Sequence, residues 1–437
     1  MKPLLLLLAF SLPSLAVAQV NVTVPQGQTI LYTIKNLCPA DPTVSCTVNL
    51  QSGIGTRSGM IYGKAMSSRP NVIINGNGPG TYNSLTNPTG ASILAGTGSV
   101  VEGPLEFTTG ADNVVVENLS VDVGDGAINK GITIETDAIN AYSPYATVWN
   151  TPIHNFVVNN VTTLNRNSTS LFHGIKCENV IGCTVTNSMS LWGTHGFVGK
   201  FGTGFDFENL ISVGHNDDCL NFKAGTDGFL VTAYLNNAYA NNITCASANP
   251  NDTNGVYVQA ANGSISNVLL NNLTLDGVMT GLNLTGDLPS TGFGITGLTV
   301  NGLTYTAGPW MGGKGVPQAA VLVEGLVNSA IINGLSSTNA NNCYSIIPTH
   351  AQVGQITINS PVCNNTARTE FGLGGNGLTT IVHPAITHTP GWDFADFYNQ
   401  GATSQVIVIH PMFDNSSVET MGYERQKAHG APDVIIQ

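Results

Sequence analysis

A six-residue pattern of apolar and polar positions returns five times along this chain. Its copies are Lys130-Gly131-Ile132-Thr133-Ile134-Glu135, His173-Gly174-Ile175-Lys176-Cys177-Glu178, His195-Gly196-Phe197-Val198-Gly199-Lys200, Asp218-Cys219-Leu220-Asn221-Phe222-Lys223 and Asn254-Gly255-Val256-Tyr257-Val258-Gln259. The third and fifth positions are mostly apolar and the fourth and sixth mostly polar, which is the period of a strand with one buried face. A second motif lies downstream of several copies: Val116-Glu117-Asn118-Leu119, Val158-Asn159-Asn160-Val161, Val185-Thr186-Asn187-Ser188, Phe207-Glu208-Asn209-Leu210 and Leu270-Asn271-Asn272-Leu273. Val300-Asn301-Gly302-Leu303 and Ile332-Asn333-Gly334-Leu335 continue it with Gly in the Asn place.

Two or three short strands per repeat, joined by Gly/Asn turns, describe the coils of a β-solenoid. The prediction is an all-β, right-handed parallel β-helix. A sandwich or barrel also has many short strands, but does not keep one residue type at one place in successive turns. Residues 1–18 read as a signal peptide, 19–105 as the N-terminal cap and first coils, 106–384 as the β-helix body and 385–437 as a C-terminal cap, all within one structural domain. Longer insertions at 137–151, 246–253 and 305–318 are expected to wall a groove, with Trp310 as a sugar platform or a lid on the core. The aromatics Trp392, Phe394, Phe397 and Tyr398 belong to the final stretch, where the repeat is expected to stop.

Charged residues are only 9% of the chain and Gly numbers 50, which excludes a bundle of amphipathic helices. Met1-Lys2, the apolar run from Leu4 and Ala16-Val17-Ala18 before Gln19 form a secretory signal with a small-residue cleavage site. A secreted, extracellular protein is expected, with no membrane span. Export permits disulfides, and the 8 cysteines fall into sequence-local pairs: Cys38 with Cys46, Cys177 with Cys183, Cys219 with Cys245, Cys343 with Cys363. Zinc is the competing reading, but no Cys-x-x-Cys pair occurs. Of the Asn-x-Ser/Thr sequons, Asn21, Asn167, Asn251 and Asn415 suit glycans, whereas Asn118, Asn160 and Asn272 belong to the Asn repeat and are expected to point inward as a ladder. The net charge of −12, with no Lys/Arg cluster, argues against nucleic acid and anionic membranes as partners.

Stacked one coil apart, at about 4.8 Å per step, the outward positions of the six-residue copies form columns. The first column reads Lys130, His173, His195, Asp218, Asn254. The fourth contributes Lys176, Asn221 and Tyr257, and the sixth reads Glu135, Glu178, Lys200, Lys223, Gln259. Lys176, Lys200 and Lys223 fall on this face in consecutive copies, with Asp217, Asp218, His173, His195 and His215 close by, so titratable groups concentrate where the rest of the chain lacks them.

Asn216-Asp217-Asp218-Cys219-Leu220 resembles the Asn-x-Asp-Asp-Cys region of glycoside hydrolase family 28, the polygalacturonases and rhamnogalacturonases of the pectin-lyase-like β-helix superfamily. The pairing of Cys219 with Cys245 also resembles that family's disulfide. Gly193-Thr194-His195-Gly196-Phe197 holds the register of the family's Asn-Thr-Asp-Gly-Phe segment, with His195 in the place of its aspartate. The family's Gly-His-Gly and Arg-x-Lys have no counterpart: the corresponding registers read Asn254-Gly255 and Gly281-Leu282-Asn283.

The resemblance implies a glycosidase cleaving a pectic or other cell-wall polysaccharide by carboxylate general acid/base catalysis. It assigns Asp218 as general acid and Asp217 as base in an inverting mechanism, with His195 modulating their protonation. Substrate contacts are expected from His173, Lys176, Lys200, His215, Asn221, Lys223, Tyr257 and Gln259. Without the Arg-x-Lys, a neutral or branched polymer is favoured over plain polygalacturonan. No cofactor or metal is expected, and a monomer is. Two other readings stay open. One is a polysaccharide lyase, in which Lys200 or Lys223 abstracts the proton alpha to a uronate carboxylate and calcium sits on Asp217, Asp218 and Glu178. The other is a non-catalytic carbohydrate-binding β-helix.

Overall fold

The computed structural model describes residues 18–53, 55–59, 69–85, 96–124, 130–135, 151–166, 172–225, 232–247, 254–287, 291–308, 319–346, 352–366, 369–373, 376–388, 397–399, 404–409, 412–413 and 434–436. The signal segment before residue 18, the Trp310 loop, Trp392, Phe394 and the sequons at Asn167, Asn251 and Asn415 lie outside them. The chain is a right-handed parallel β-helix, and each strand pairs in parallel with its counterpart one coil away. Each coil has three faces. One carries the six-residue motif: Lys130–Ile134 pairs with the start of His173–Thr186, and Asn254–Ala260 lies between the end of Met189–Ala224 and Thr280–Thr285. A second face runs through Val158, Val185, Phe207, Ala240, Leu270, Val300 and Ile332. The third runs through Leu210, Ile243, Leu273, Leu303 and Leu335.

Register explains the core. Inward columns stack like on like, so Ile132, Ile175, Phe197, Leu220, Val256, Leu282 and Val321 are each fully buried. Phe207 and Phe222 stack across the interior at 5.4 Å between ring centroids. The second position of the motif is Gly in four of the five copies because adjacent coils touch there. A Cβ on Gly174 would sit 2.5 Å from the Gly196 carbonyl oxygen, and one on Gly196 would sit 2.5 Å from that of Cys219.

The Asn repeat marks the corner between the second and third faces. Asn118, Asn160, Asn187, Asn209, Asn242 and Asn272 all have φ between 51° and 58°, and Gly302 and Gly334 continue the corner at 75° and 66°. Asn tolerates the left-handed region better than other L residues, and its amide then bonds to the next coil. Asn118 donates to Asn75 at 3.0 Å, and Asn160 donates to Asn118 at 2.9 Å. These side chains therefore do not point inward as expected: Asn118 and Asn160 are partly exposed and Asn272 is exposed. The inward direction is already filled by Val116 and Leu119.

At the N-terminus, Gln19–Thr23, Ser45–Asn49 and Val72–Asn75 stack in parallel, and the short helix Ile30–Asn36 buries Ile30, Thr33 and Ile34. Parallel pairing continues beyond residue 384: Ser404–Ile409 pairs with Asn376–Val382 and Val434–Ile436, and Phe397–Asn399 pairs with Thr369–Leu373. The strand-forming repeat thus does not stop where its sequence signature fades. Disulfides join Cys38 to Cys46, Cys177 to Cys183 and Cys343 to Cys363. The fourth expected bridge is absent. Cys219 and Cys245 are buried free thiols that hydrogen-bond each other, and the Cys245 Sγ also donates to the Gly255 carbonyl at 3.5 Å. Among the described residues no helix is long and apolar enough to cross a membrane.

The corner ladder predicts an ordering of variants. Asn118→Gly keeps the left-handed backbone and loses the amide bonds, whereas Asn118→Ala loses both. The alanine variant should be less stable than the glycine variant by about 1 kcal/mol in chemical denaturation. Equal stabilities would contradict the assignment of the ladder's value to backbone conformation.

Candidate active site

The motif face brings the first column together. His173 pairs with Lys130 and His195 in register, and Asp218 pairs with Asn254. The His173 and His195 rings stack with centroids 4.8 Å apart and planes 6° from parallel. One coil on, the His195 Nδ1 lies 3.0 Å from the Asp218 Oδ2, and its Nε2 lies 3.7 Å from the Asp217 Oδ2. The imidazole is therefore held between two carboxylates of different character: the Asp218 side chain is 1% exposed and that of Asp217 is 47% exposed.

Asp218 is anchored on every side. Besides its contact with His195, it accepts from the Asn221 Nδ2 at 2.6 Å and the Asn254 Nδ2 at 2.9 Å. It sits at the edge of the face, at the entry to the strand segment whose next residues, Cys219, Leu220 and Phe222, fill the interior. Burial alone would lower the His195 pKa, but the hydrogen bond its ring donates to Asp218 and the charges of Asp218 and Asp217 outweigh it and raise it above 6.5. By linkage, this pair stabilises the fold fully below about pH 6.5 and loses that contribution as pH rises through the raised value. His173 behaves oppositely. Burial, then the positive neighbours His195, Lys176, Lys200 and Lys130, push its pKa well below the usual value, so a neutral ring backs His195.

The lysines belong to an ion-pair ladder on the same face. Lys176 is buried between Glu135, at 2.9 Å, and Glu178. Lys200 reaches Glu178 at 3.4 Å, and Lys130 meets Glu106 at 3.3 Å and Glu135. Burial opposes charge on Lys176, yet Glu178 and Glu135 win and raise its pKa. Burial likewise opposes charge on Glu135, but Lys176 and Lys130 bring its pKa down to about 2. In Lys200 burial prevails over Glu178 and lowers the pKa.

Several expected substrate contacts change role. His215 is 0% exposed, with its Nε2 3.2 Å from the Ser190 carbonyl, and burial lowers its pKa to about 3. It is a core residue and cannot touch a polymer. Lys176 is held inside the ladder, and Asn221 orients Asp218. Lys223, Tyr257 and Gln259 stand partly exposed on the motif face, with Lys223 and Gln259 in register. Sequence reasoning missed Asn283, Thr285 and Glu324, which continue the columns: Tyr257 pairs with Asn283, and Gln259 with Thr285 and then Glu324. Extending the register past Asn254 would have found them.

His195, Asp217 and Asp218 each offer a ligand atom within 4.8 Å of the others, a spacing compatible with a metal ion. Asn221 and Asn254 already donate to both Asp218 oxygens, so this donor set fits a hydrogen-bonded acid/base cluster as well as a cation. Glu178, the third oxygen expected for calcium, is engaged by Lys176 and Lys200.

No protein-family model matches the chain, and no curated protein matches it. Solved structures similar to it include the catalytic domain of a GH87 α-1,3-glucanase in complex with nigerose, at 12% identity over 95% of this chain and 67% of that chain, TM-score 0.47. Another is the catalytic unit of a thermostable GH87 α-1,3-glucanase from Streptomyces thermodiastaticus strain HF3-3, at 13% identity over 85% of this chain and 64% of that one, TM-score 0.49. The A-module of the Azotobacter vinelandii mannuronan C-5 epimerase AlgE6 is similar at 14% identity over 85% of this chain and 92% of that one, TM-score 0.35. The chain spans about two thirds of the length of the glucanase chains.

Nuclear magnetic resonance titration of the histidines checks the electrostatics. His195 should titrate above pH 6.5 in the wild type and at a lower pH in Asp218→Asn, where only the Asp217 charge still opposes burial. His215 should stay neutral down to about pH 3 in both. A His195 titration that the variant leaves unmoved would refute the role given to Asp218.

Proposed function

We propose that the protein is a secreted glycoside hydrolase acting on a polysaccharide, with Asp217 and His195 as its acid/base pair and Asp218 positioning the imidazole. The observation that carries this reading is the single imidazole between a buried, fully anchored carboxylate and an exposed one. Hydrolysis needs one group to protonate the leaving oxygen and another to take a proton from water. His195, its charged form favoured by the two aspartates, donates to the glycosidic oxygen as the bond to the anomeric carbon breaks. Asp217 accepts the proton of the water that attacks that carbon. A water bridging the 3.7 Å between them then carries the proton from Asp217 back to His195, restoring the pair with one water consumed.

This division of labour differs from the one the family resemblance implies, where Asp218 is the acid. An anchored side chain with donors on both oxygens is suited to orienting His195. The lyase reading draws on one observation, the lowered pKa of Lys200, which favours a neutral amine that could act as base. Its ion pair with Glu178 works against that.

Incubation with a panel of polysaccharides, recording reducing ends and the ultraviolet absorbance of unsaturated uronates, tests the proposal. Reducing ends without absorbance are expected. Asp217→Asn and His195→Gln should each lower kcat by about 100- to 10,000-fold. Absorbance would replace the hydrolase by the lyase, and binding without turnover would leave a carbohydrate-binding protein.

A further inference from the structure

The His195 cluster divides the described part of the motif face into two halves of different chemistry. On the N-terminal side stand Glu106, Lys130, Glu135, Lys176, Glu178 and Lys200, three charges of each sign, and each of the three ammonium groups already meets a carboxylate. A uronate arriving there would have to displace a protein carboxylate that is already desolvated and hydrogen-bonded, and would bring its own desolvation cost. Lys223 lies on the cluster's own coil, where its charge acts on His195.

On the C-terminal side the same columns carry only amides and hydroxyls for two coils, and the third coil holds Ala319, Leu322 and the acid Glu324. Asn283 donates to Asn254 at 3.3 Å, so the chain of contacts starts from an Asp218 partner. The Thr285 hydroxyl lies 3.1 Å from the Asn283 Oδ1 and 3.3 Å from the Glu324 Oε2. Tyr257 and Gln259 stand outward, alternating with buried Val256, Val258 and Ala260, and burial raises the Tyr257 phenol's pKa, so it keeps its proton. Amides and hydroxyls both donate and accept, which matches sugar hydroxyls. Glu324 at the far end would repel an anionic chain.

We infer that the site takes an uncharged glycan and that Asn254, Tyr257, Gln259 and Thr285 form the subsite that holds it, braced by the buried Asn283, on the C-terminal side of the cluster. The inference takes the location of the site from the proposed catalytic pair, and substrate charge is what it adds. Electrophoresis of the full protein through gels containing uncharged polymers (glucans, mannan, xylan, galactan) or uronate polymers (polygalacturonate, alginate) tests it. At low salt and at about 0.3 M, where exposed charges are screened, an uncharged polymer should retard the protein equally. Gln259→Ala should weaken that retardation about three- to tenfold, and Thr285→Val should act in the same direction, each variant first being shown to be folded by circular dichroism.

Retardation confined to uronate gels and abolished by salt, no retardation in any uncharged gel, or insensitivity to both variants would overturn the inference. Retention of an uncharged polymer without new reducing ends would keep it and reject the catalytic reading. Cleavage confined to uronate polymers would keep the hydrolase and reject the inference.

Discussion

The structure depends on one constraint: parallel coils hydrogen-bonded in register, so that each side chain sits about 4.8 Å from its counterpart above and below. Apolar columns benefit, because Ile132, Ile175, Phe197 and Leu220 bury one another. Charged columns are penalised, since like charges at that spacing repel. The motif face answers by mixing signs between columns, and Glu135 lies between Lys130 and Lys176 while Glu178 lies between Lys176 and Lys200. Buried ions that are paired on both sides are tolerable, and removal of one partner from such a pair typically costs about 3–5 kcal/mol.

The candidate site lies where that ladder gives way to hydrogen bonding. His195 follows His173 in the column and meets Asp218 instead of a lysine, so an imidazole sits between a neutral stacked ring and an anchored carboxylate. The same stacking that builds the core therefore sets the charge of the reactive group. Behind this strand, Cys219 occupies the second motif position, held by Gly in the coils of Gly174, Gly196 and Gly255, and lies against Cys245 in the interior. Farther along the helix, Cys343 is bridged to Cys363.

Much of this was legible in the sequence because a solenoid repeats its register in its residues. The columns through His173 and His195, and through Asp218 and Asn254, were readable from the six-residue motif alone. What resisted reading depends on depth and partner choice. His215 is two residues from Asp217 in sequence, yet it lies inside the wall, and nothing local distinguishes it from His195. Lys176 and Lys200 share an outward face, but only three-dimensional placement reveals that carboxylates hold them. The corner asparagines carried a clear repeat whose meaning, a left-handed backbone with an external amide ladder, is conformational. The C-terminal coils pair in parallel without preserving the motif, so periodicity could not find them.

The account places catalysis where an exposed carboxylate and an imidazole meet on the motif face. A crystal structure of the Asp217→Asn variant with an oligosaccharide of its substrate tests that placement most directly. The account predicts a sugar chain running along this face, with a glycosidic oxygen within hydrogen-bonding reach of His195 and the flanking residues over Tyr257 and Gln259. A chain bound instead on the second face, where Leu269 and Ile331 are exposed, would contradict it.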